Sequence, residues 1–313
     1  MIRRRNGVHI AAIVLSVLLI VTGTWSQSSQ SSSARFLVLS DEGGFASSDQ
    51  KAVAAAMAKE AERIHAQFVV TAGDNYHGDG IASATDPRWK TEIEDVYSFT
   101  SLQVPWYPSL GNHDYRGNPW SEIEYSNINP HWKFPARYYA QHERIDDSTS
   151  LLIVHIDTSP FVEKYQQQAD VYKVKGQDTK RQLVWLDSVL TVSHDRWTIV
   201  VGHHPVYSAA PKHGDTKELI DQVLPILKNH HVPLYVCGHD HVLQQLKRGE
   251  QNFVLCGGGA EHRDVMQRDD VVFGIGSLGF LSVTVTARDI NVNFIDSKNM
   301  LLHSFQVSAS KSK

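Results

Sequence analysis

Phe36-Leu37-Val38-Leu39-Ser40-Asp41-Glu42-Gly43-Gly44, followed one helix length later by Phe68-Val69-Val70-Thr71-Ala72-Gly73-Asp74-Asn75, is the stretch that decides the fold. Each run opens with large apolar or β-branched residues and ends in small and acidic ones, the form of a buried strand that stops at a polar turn. Between them Ser47 and Gln50 stand at capping-box spacing, and Val53, Met57, Ala61, Ile64 and Phe68 recur at helical spacing. Strand, helix and strand in that order predict an α/β chain.

The pattern continues outward from there. Val104 to Leu110, Leu151 to Ile156, Trp197 to Val201, Pro233 to Val236 and Phe253 to Leu255 read as strands. Helices fit Asp178 to Leu190, with Leu183, Leu186 and Leu190 on one face, and Thr216 to Asn229, which Pro225 should kink. From Gly279 the period becomes two, with Leu281, Val283 and Val285 and then Ile290, Val292 and Phe294. That predicts an antiparallel hairpin turning at Ala287 to Asp289. No internal repeat and no Pro/Gly/Ser linker divides the body.

Where these strands stop, polar clusters begin: Asp41; Gly73-Asp74-Asn75; Gly111-Asn112-His113-Asp114; Gly202-His203-His204-Pro205; and Gly238-His239-Asp240-His241. Ligands of open α/β sheets bind at the carboxyl ends of strands. Taken singly, a Gly-Asp pair after a strand is a turn and a lone His there is a satisfied polar side chain. Five such clusters together deliver carboxylate, carboxamide and imidazole donors to one rim. Without thiolate, that set suits first-row divalent or ferric ions rather than a Cys-type zinc site. There are too many donors for one ion, and a pair about 3.5–4 Å apart would use them all.

The composition agrees. The chain has 313 residues, 42% of them apolar, with 30 Lys and Arg against 34 Asp and Glu. A net charge of -4 argues against a nucleic-acid partner, because no basic field exists to neutralise phosphate backbones. The 17 histidines, many beside Gly or Asp, point toward metals. Cys237 and Cys256 each end an apolar run and read as buried thiols on neighbouring strands rather than a disulfide. Arg3, Arg4 and Arg5 precede an apolar run from Ile10 to Val21, the form of a signal peptide or N-terminal anchor over residues 1–26. Residues 27–33 then read as a flexible leader, and the protein as secreted, periplasmic or lumenal.

The five clusters, in this order, resemble those of the calcineurin-like metallophosphoesterases. Gly43-Gly44 after the first Asp, Trp132-Lys133-Phe134-Pro135 with Tyr138-Tyr139, and Val223-Leu224-Pro225 ahead of Tyr235-Val236-Cys237 narrow the likeness to the small tartrate-resistant purple acid phosphatases. The resemblance implies a four-layer sandwich, two mixed β-sheets flanked by helices, as a single catalytic domain over residues 34–308. It also implies an acid phosphatase with two metal ions, Fe paired with Fe, Zn or Mn. One ion would take Asp41, bridging Asp74 and His241; the other would take Asp74, Asn112, His203 and His239. His113 would assist departure of the leaving oxygen, and His213 falls near a second active-site His of that group.

One position departs from the purple enzymes. Their iron-binding Tyr, three residues after the bridging Asp, is His77 here, and Tyr76 lies one residue earlier. Gly43 occupies the slot from which other branches draw a His. His77 is therefore expected to complete the first ion's ligands. A neutral imidazole in place of a phenolate should favour a divalent ion and leave the protein colourless or weakly coloured. The expected reaction is in-line attack on a phosphate monoester by a metal-bound hydroxide. A phosphodiesterase or nucleotidase, or a noncatalytic scaffold, are the alternatives. The expected partner is a small phosphorylated substrate, the state a monomer, and membrane contact would come only through an uncleaved N-terminal segment.

Overall fold

The computed structural model describes residues 33–308, so residues 1–26 and all of the leader but Ser33 lie outside it. Within that span the chain runs β1 (Ser33–Leu39), α1 (Ser48–Ile64), β2 (Phe68–Thr71), β3 (Trp106–Pro108), α2 (Pro119–Tyr125), β4 (Tyr139–Arg144), β5 (Ser150–His155) and α3 (Glu163–Gln167). It continues through α4 (Thr179–Val192), β6 (Trp197–Val201), α5 (Lys217–Gln222), α6 (Leu224–Asn229), β7 (Leu234–Cys237), β8 (Leu243–Arg248) and β9 (Gln251–Cys256). It closes on β10 (Val271–Ile275), β11 (Gly279–Thr286), β12 (Asp289–Asp296) and β13 (Leu301–Ser308).

The strands form two mixed sheets, ordered β13-β12-β11-β1-β2-β3 and β10-β8-β9-β7-β6-β5-β4. Period-two alternation decides what each face covers. Phe36 and Val38 of β1, Phe68 and Val70 of β2, Ile199 and Val201 of β6, and Leu281, Val283 and Val285 of β11 share one buried layer between the sheets. Leu37, Leu39 and Val69 turn the other way and pack with Val53, Met57 and Ala61 of α1. Leu152, Val154 and Val200 face outward from the second sheet onto Leu186 and Leu190 of α4 and Leu219, Leu224 and Leu227 of α5 and α6. Three apolar layers separate four layers of backbone, the predicted sandwich.

Local chemistry explains the boundaries. The Ser47 hydroxyl accepts from Gln50 N, but the Gln50 carboxamide oxygen reaches back to Ala46 N, one residue before the usual capping-box partner. Pro225 lacks a donor N–H, and instead of one kinked helix the chain makes two, broken at Val223. The expected strand from Val104 to Leu110 shrinks to the three residues of β3. The β11–β12 hairpin pairs Leu281 with Phe294, Val283 with Val292 and Val285 with Ile290, all facing the inter-sheet layer as the periodicity predicted. Cys237 and Cys256 sit on the adjacent strands β7 and β9, both buried and free. Among the described residues no helix is long and apolar enough to cross a membrane.

This topology positions the polar clusters. β1, β2 and β3 run parallel in one sheet, and β5, β6, β7 and β9 run parallel in the other. The loops after β1, β2, β3, β6 and β7 interlock: Asp41 N donates to Gly73 O at 3.0 Å, Gly43 N to Asp74 O at 3.3 Å and Gly238 N to His203 O at 3.0 Å.

Candidate metal centre

Each donor lies just past a strand end, on backbone that turns sharply. Asp41, Asp74 and His239 have φ of 57°, 54° and 69°, left-handed conformations that are strained for residues with a Cβ. Two glycines make room for them. A Cβ at Gly238 would lie 2.3 Å from Asp41 Oδ2, and a Cβ at Gly43 would lie 2.1 Å from the backbone N of His77. No side chain can therefore occupy position 43 with His77 where it is.

The structure gathers the donors into two sets that meet at Asp74. His77 Nε2 lies 3.9 Å from Asp41 Oδ1 and 3.8 Å from Asp74 Oδ2, and His241 Nε2 lies 3.4 Å from Asp41 Oδ1. On the other side His203 Nε2 lies 3.3 Å from Asp74 Oδ2, 3.2 Å from Asn112 Oδ1 and 3.3 Å from His239 Nδ1. Donors bonded to one ion at about 2.1 Å, spread by 90° to 135°, stand ~3.0–3.9 Å apart, and every one of these separations falls in that span. Asp41 Oδ1 and His77 Nε2 are buried without a hydrogen-bond partner among the described residues, the condition a bound cation would relieve. The donor set fits a pair of metal ions.

Supporting contacts aim the donors. His203 Nδ1 lies 3.0 Å from Ala72 O, which keeps a proton on Nδ1, so that Nε2 is the nitrogen that would lose its proton to a metal. Glu261 Oε2 lies 3.0 Å from His241 Nδ1, a carboxylate behind an imidazole donor. Asp41 Oδ2 accepts from His239 N at 2.9 Å and Asp74 Oδ1 from His113 N at 2.7 Å, so each acid keeps one oxygen for the centre. Asp114 is no donor. It accepts from Gly111, Asn75 and Tyr76 N and staples the loops after β2 and β3 together.

Electrostatics follow from this crowding. Burial alone would raise the Asp41 and Asp74 carboxyls, but the imidazoles of His241 and His77 beside the first and of His203 beside the second hold both well below the usual range. Burial opposes charge on His203, yet Asp74 raises it to about 9. His113, whose Nδ1 lies 2.8 Å from Gly78 O, is lowered by burial. The His213 ring, exposed at the mouth, lies 4.2 Å from that of His239, and partial burial and then the charges of Lys212, Arg263 and Lys164 push it down to about 4.

Tyr76 and His77 resolve into opposite orientations. Tyr76 is fully buried edge-on to Trp89 at 5.1 Å, among the residues under α1, whereas the His77 ring lies 5.3 Å from His241 and 4.9 Å from His113. Sequence reading passed over the group behind His239. His204, 4.4 Å from it, has Nδ1 at 2.8 Å from Thr158 Oγ1 and Nε2 at 3.1 Å from Tyr165 OH. Thr158 lies three residues past β5 and Tyr165 in α3, but neither is a carboxylate, carboxamide or imidazole, so residue type did not mark them.

The chain matches the model of the calcineurin-like phosphoesterase family over residues 34–243. It is 34% identical to Purple acid phosphatase 4 of Arabidopsis thaliana, covering 88% of this chain and 84% of that one. It is 33% identical to tartrate-resistant acid phosphatase type 5 of Sus scrofa, covering 86% and 85%. Among solved structures, GAP50, described as the anchor in the inner membrane complex of Plasmodium, superposes with a TM-score of 0.80 at 25% identity, covering 90% of each chain.

Proposed function

This chain belongs to the calcineurin-like phosphoesterase family, beside the tartrate-resistant purple acid phosphatases, and is a metal-dependent phosphatase; we propose that it hydrolyses phosphate monoesters at two metal ions. Asp41, Asp74, His77 and His241 would hold one ion, and Asp74, Asn112, His203 and His239 the other. The observation that carries this reading is Asp74 Oδ2, which stands 3.8 Å from His77 Nε2 and 3.3 Å from His203 Nε2, within reach of both donor sets. Metals bound there would supply Lewis acidity and bring the ionisation of water near neutral pH.

The remaining work falls to the chain itself. With His113 Nδ1–H donating to Gly78 O, Nε2 carries a proton only in the imidazolium, and that protonated form is the one that gives a proton or hydrogen bond to the leaving oxygen. His213, beside His239, steadies the phosphoryl group. His77 contributes a neutral donor where a phenolate would be anionic, which favours Fe, Zn or Mn in the divalent state. The N-terminal run over residues 1–26 serves export, which sequencing the N-terminus of the mature protein tests.

The test is turnover of p-nitrophenyl phosphate and of its bis-ester over about pH 4 to 9, on protein whose metals have been counted. Preferred monoester turnover at two metals per chain supports the proposal, and bis-ester preference makes the protein a diesterase. No turnover with both sites filled leaves the scaffold reading, which the likeness to the Plasmodium anchor protein favours.

A further inference from the structure

A cavity of about 360 Å³ lies beside the edge strand β3, and none of the metal centre's donors lines it. That volume falls in the range of small-molecule sites. Its wall includes Trp106 of β3, Trp132, Tyr97 and Leu102, all buried. The Tyr97 and Trp106 rings meet edge-on, with centroids 5.0 Å apart. Trp106 Nε1 donates to Leu102 O and Trp132 Nε1 to Glu122 O, each at 3.0 Å. With both indole donors spent inside the protein, these rings offer the cavity π surface and carbon rather than hydrogen bonds.

The polar side of the cavity comes from a turn of π-helix, Trp89–Glu94, in which Asp95 N donates to Lys90 O at 2.9 Å. Such turns are rare and occur frequently at functional sites. Here the turn stacks Trp89 on Tyr125, ring centroids 3.6 Å apart, while Lys90, Ile93 and Glu94 line the cavity. Glu94 Oε1 accepts from Tyr125 OH at 2.5 Å, which fixes the carboxylate. Its Oε2 has no hydrogen bond and no cation nearer than Lys90 Nζ at 3.9 Å among the described residues. Lys90 is also paired with Asp95, so one cation stands against two carboxylates and a negative charge remains at the rim. Gln103 spends its carboxamide nitrogen on Tyr97 O and Phe99 O, at 2.9 and 3.4 Å, which leaves its oxygen as an acceptor. An excess carboxylate, an unspent carboxamide oxygen and aromatic walls together select a cation on an apolar body.

We propose that this cavity is a second ligand site and binds a small organic amine, with the ammonium at Glu94 and Gln103 and the apolar body against Trp106, Trp132 and Tyr97. The site shares no residue with the metal centre, so binding there is measured without reference to phosphate chemistry.

The experiment is calorimetric titration of 2-phenylethylamine and of 3-phenylpropionate, similar bodies of opposite charge, into the metal-loaded full chain at about pH 8, above the ordinary imidazole range. Wild-type protein should bind the amine with a Kd below about 1 mM and at least about tenfold more tightly than the carboxylate. Saturating inorganic phosphate, which occupies the metal centre, should leave that affinity unchanged. Glu94→Gln keeps an acceptor for Tyr125 OH but removes the charge, and should weaken the amine at least about tenfold with metal content and p-nitrophenyl phosphate turnover as in wild-type protein. Gln103→Lys, which places a cation at an exposed position on the same rim, should weaken it to a similar degree. No binding of the amine, equal affinity for the two compounds, an amine affinity that survives both substitutions, or displacement of the amine by phosphate overturns the proposal.

Discussion

The two donor sets that share Asp74 are built differently. His203, Asn112 and His239 stand 3.2 and 3.3 Å apart at hydrogen-bonding distance, whereas Asp41 Oδ1 and His77 Nε2 face one another at 3.9 Å without a hydrogen bond. Donors already paired exchange those bonds for metal bonds. Buried donors with nothing to pair with carry a desolvation cost that only a cation removes. The first set would therefore depend on a bound ion for its own organisation, whereas the second keeps its geometry through internal contacts.

The largest effect that could break this comparison comes from the shared residue. Asp74→Ala should empty both sets and lower kcat/KM on the order of 10⁴-fold or more, read by metal counting and turnover. Loss of one ion alone would show that Asp74 serves a single set. His113→Ala should retain both metals and lose about 10² to 10⁴ in rate, most severely for esters with poor leaving groups, as a leaving-group series would reveal. His77→Ala should weaken metal binding in the first set by roughly a hundredfold and spare the second, and iron-loaded His77→Tyr should gain a visible absorption band. A visible band in iron-loaded wild-type protein that disappears in Tyr76→Phe would reverse the roles of the two residues. Glu261→Gln, behind His241, should cost the first set about tenfold in metal affinity and leave the second unchanged.

Asp157 lies outside both sets and supplies the control. It receives hydrogen bonds from Tyr115 OH and Arg137, and burial raises its pKa to about 6 in spite of them. A raised carboxyl favours the folded state fully below the unfolded pKa near 4, and that contribution is lost as pH rises through about 6. The loss is at most about 3 kcal/mol. Melting temperatures from about pH 4 to 7 should fall less steeply in Asp157→Asn than in wild-type protein, with metal content the same in both.

What the sequence made legible follows from this division of labour. The parallel strands could be read because apolar runs such as Phe68 to Thr71 are buried on both faces and end abruptly in Gly and Asp. Strand β8 could not, because Gln244 and Gln245 occupy buried positions on its two opposite faces, where the Gln244 oxygen accepts from Ala209 N and Gln245 bonds Asn252 and His303. Edge strand β4 buries only Tyr139 and Gln141 and edge strand β13 has no fully buried residue, so neither shows a continuous apolar run. At the centre, strand-end donors carried a signal because spacing and residue type coincide. Thr158 and Tyr165 carried none because their residue types are not metal donors, and Glu261 carried none because its place behind His241 depends on loops meeting from distant parts of the chain.

Anomalous diffraction from crystals loaded with manganese or iron tests the central claim most directly. The account predicts two peaks about 3.5–4 Å apart on either side of Asp74 Oδ2, with His77 Nε2 about 2.1 Å from one of them. A single peak, or two peaks with His77 turned away from both, would contradict it.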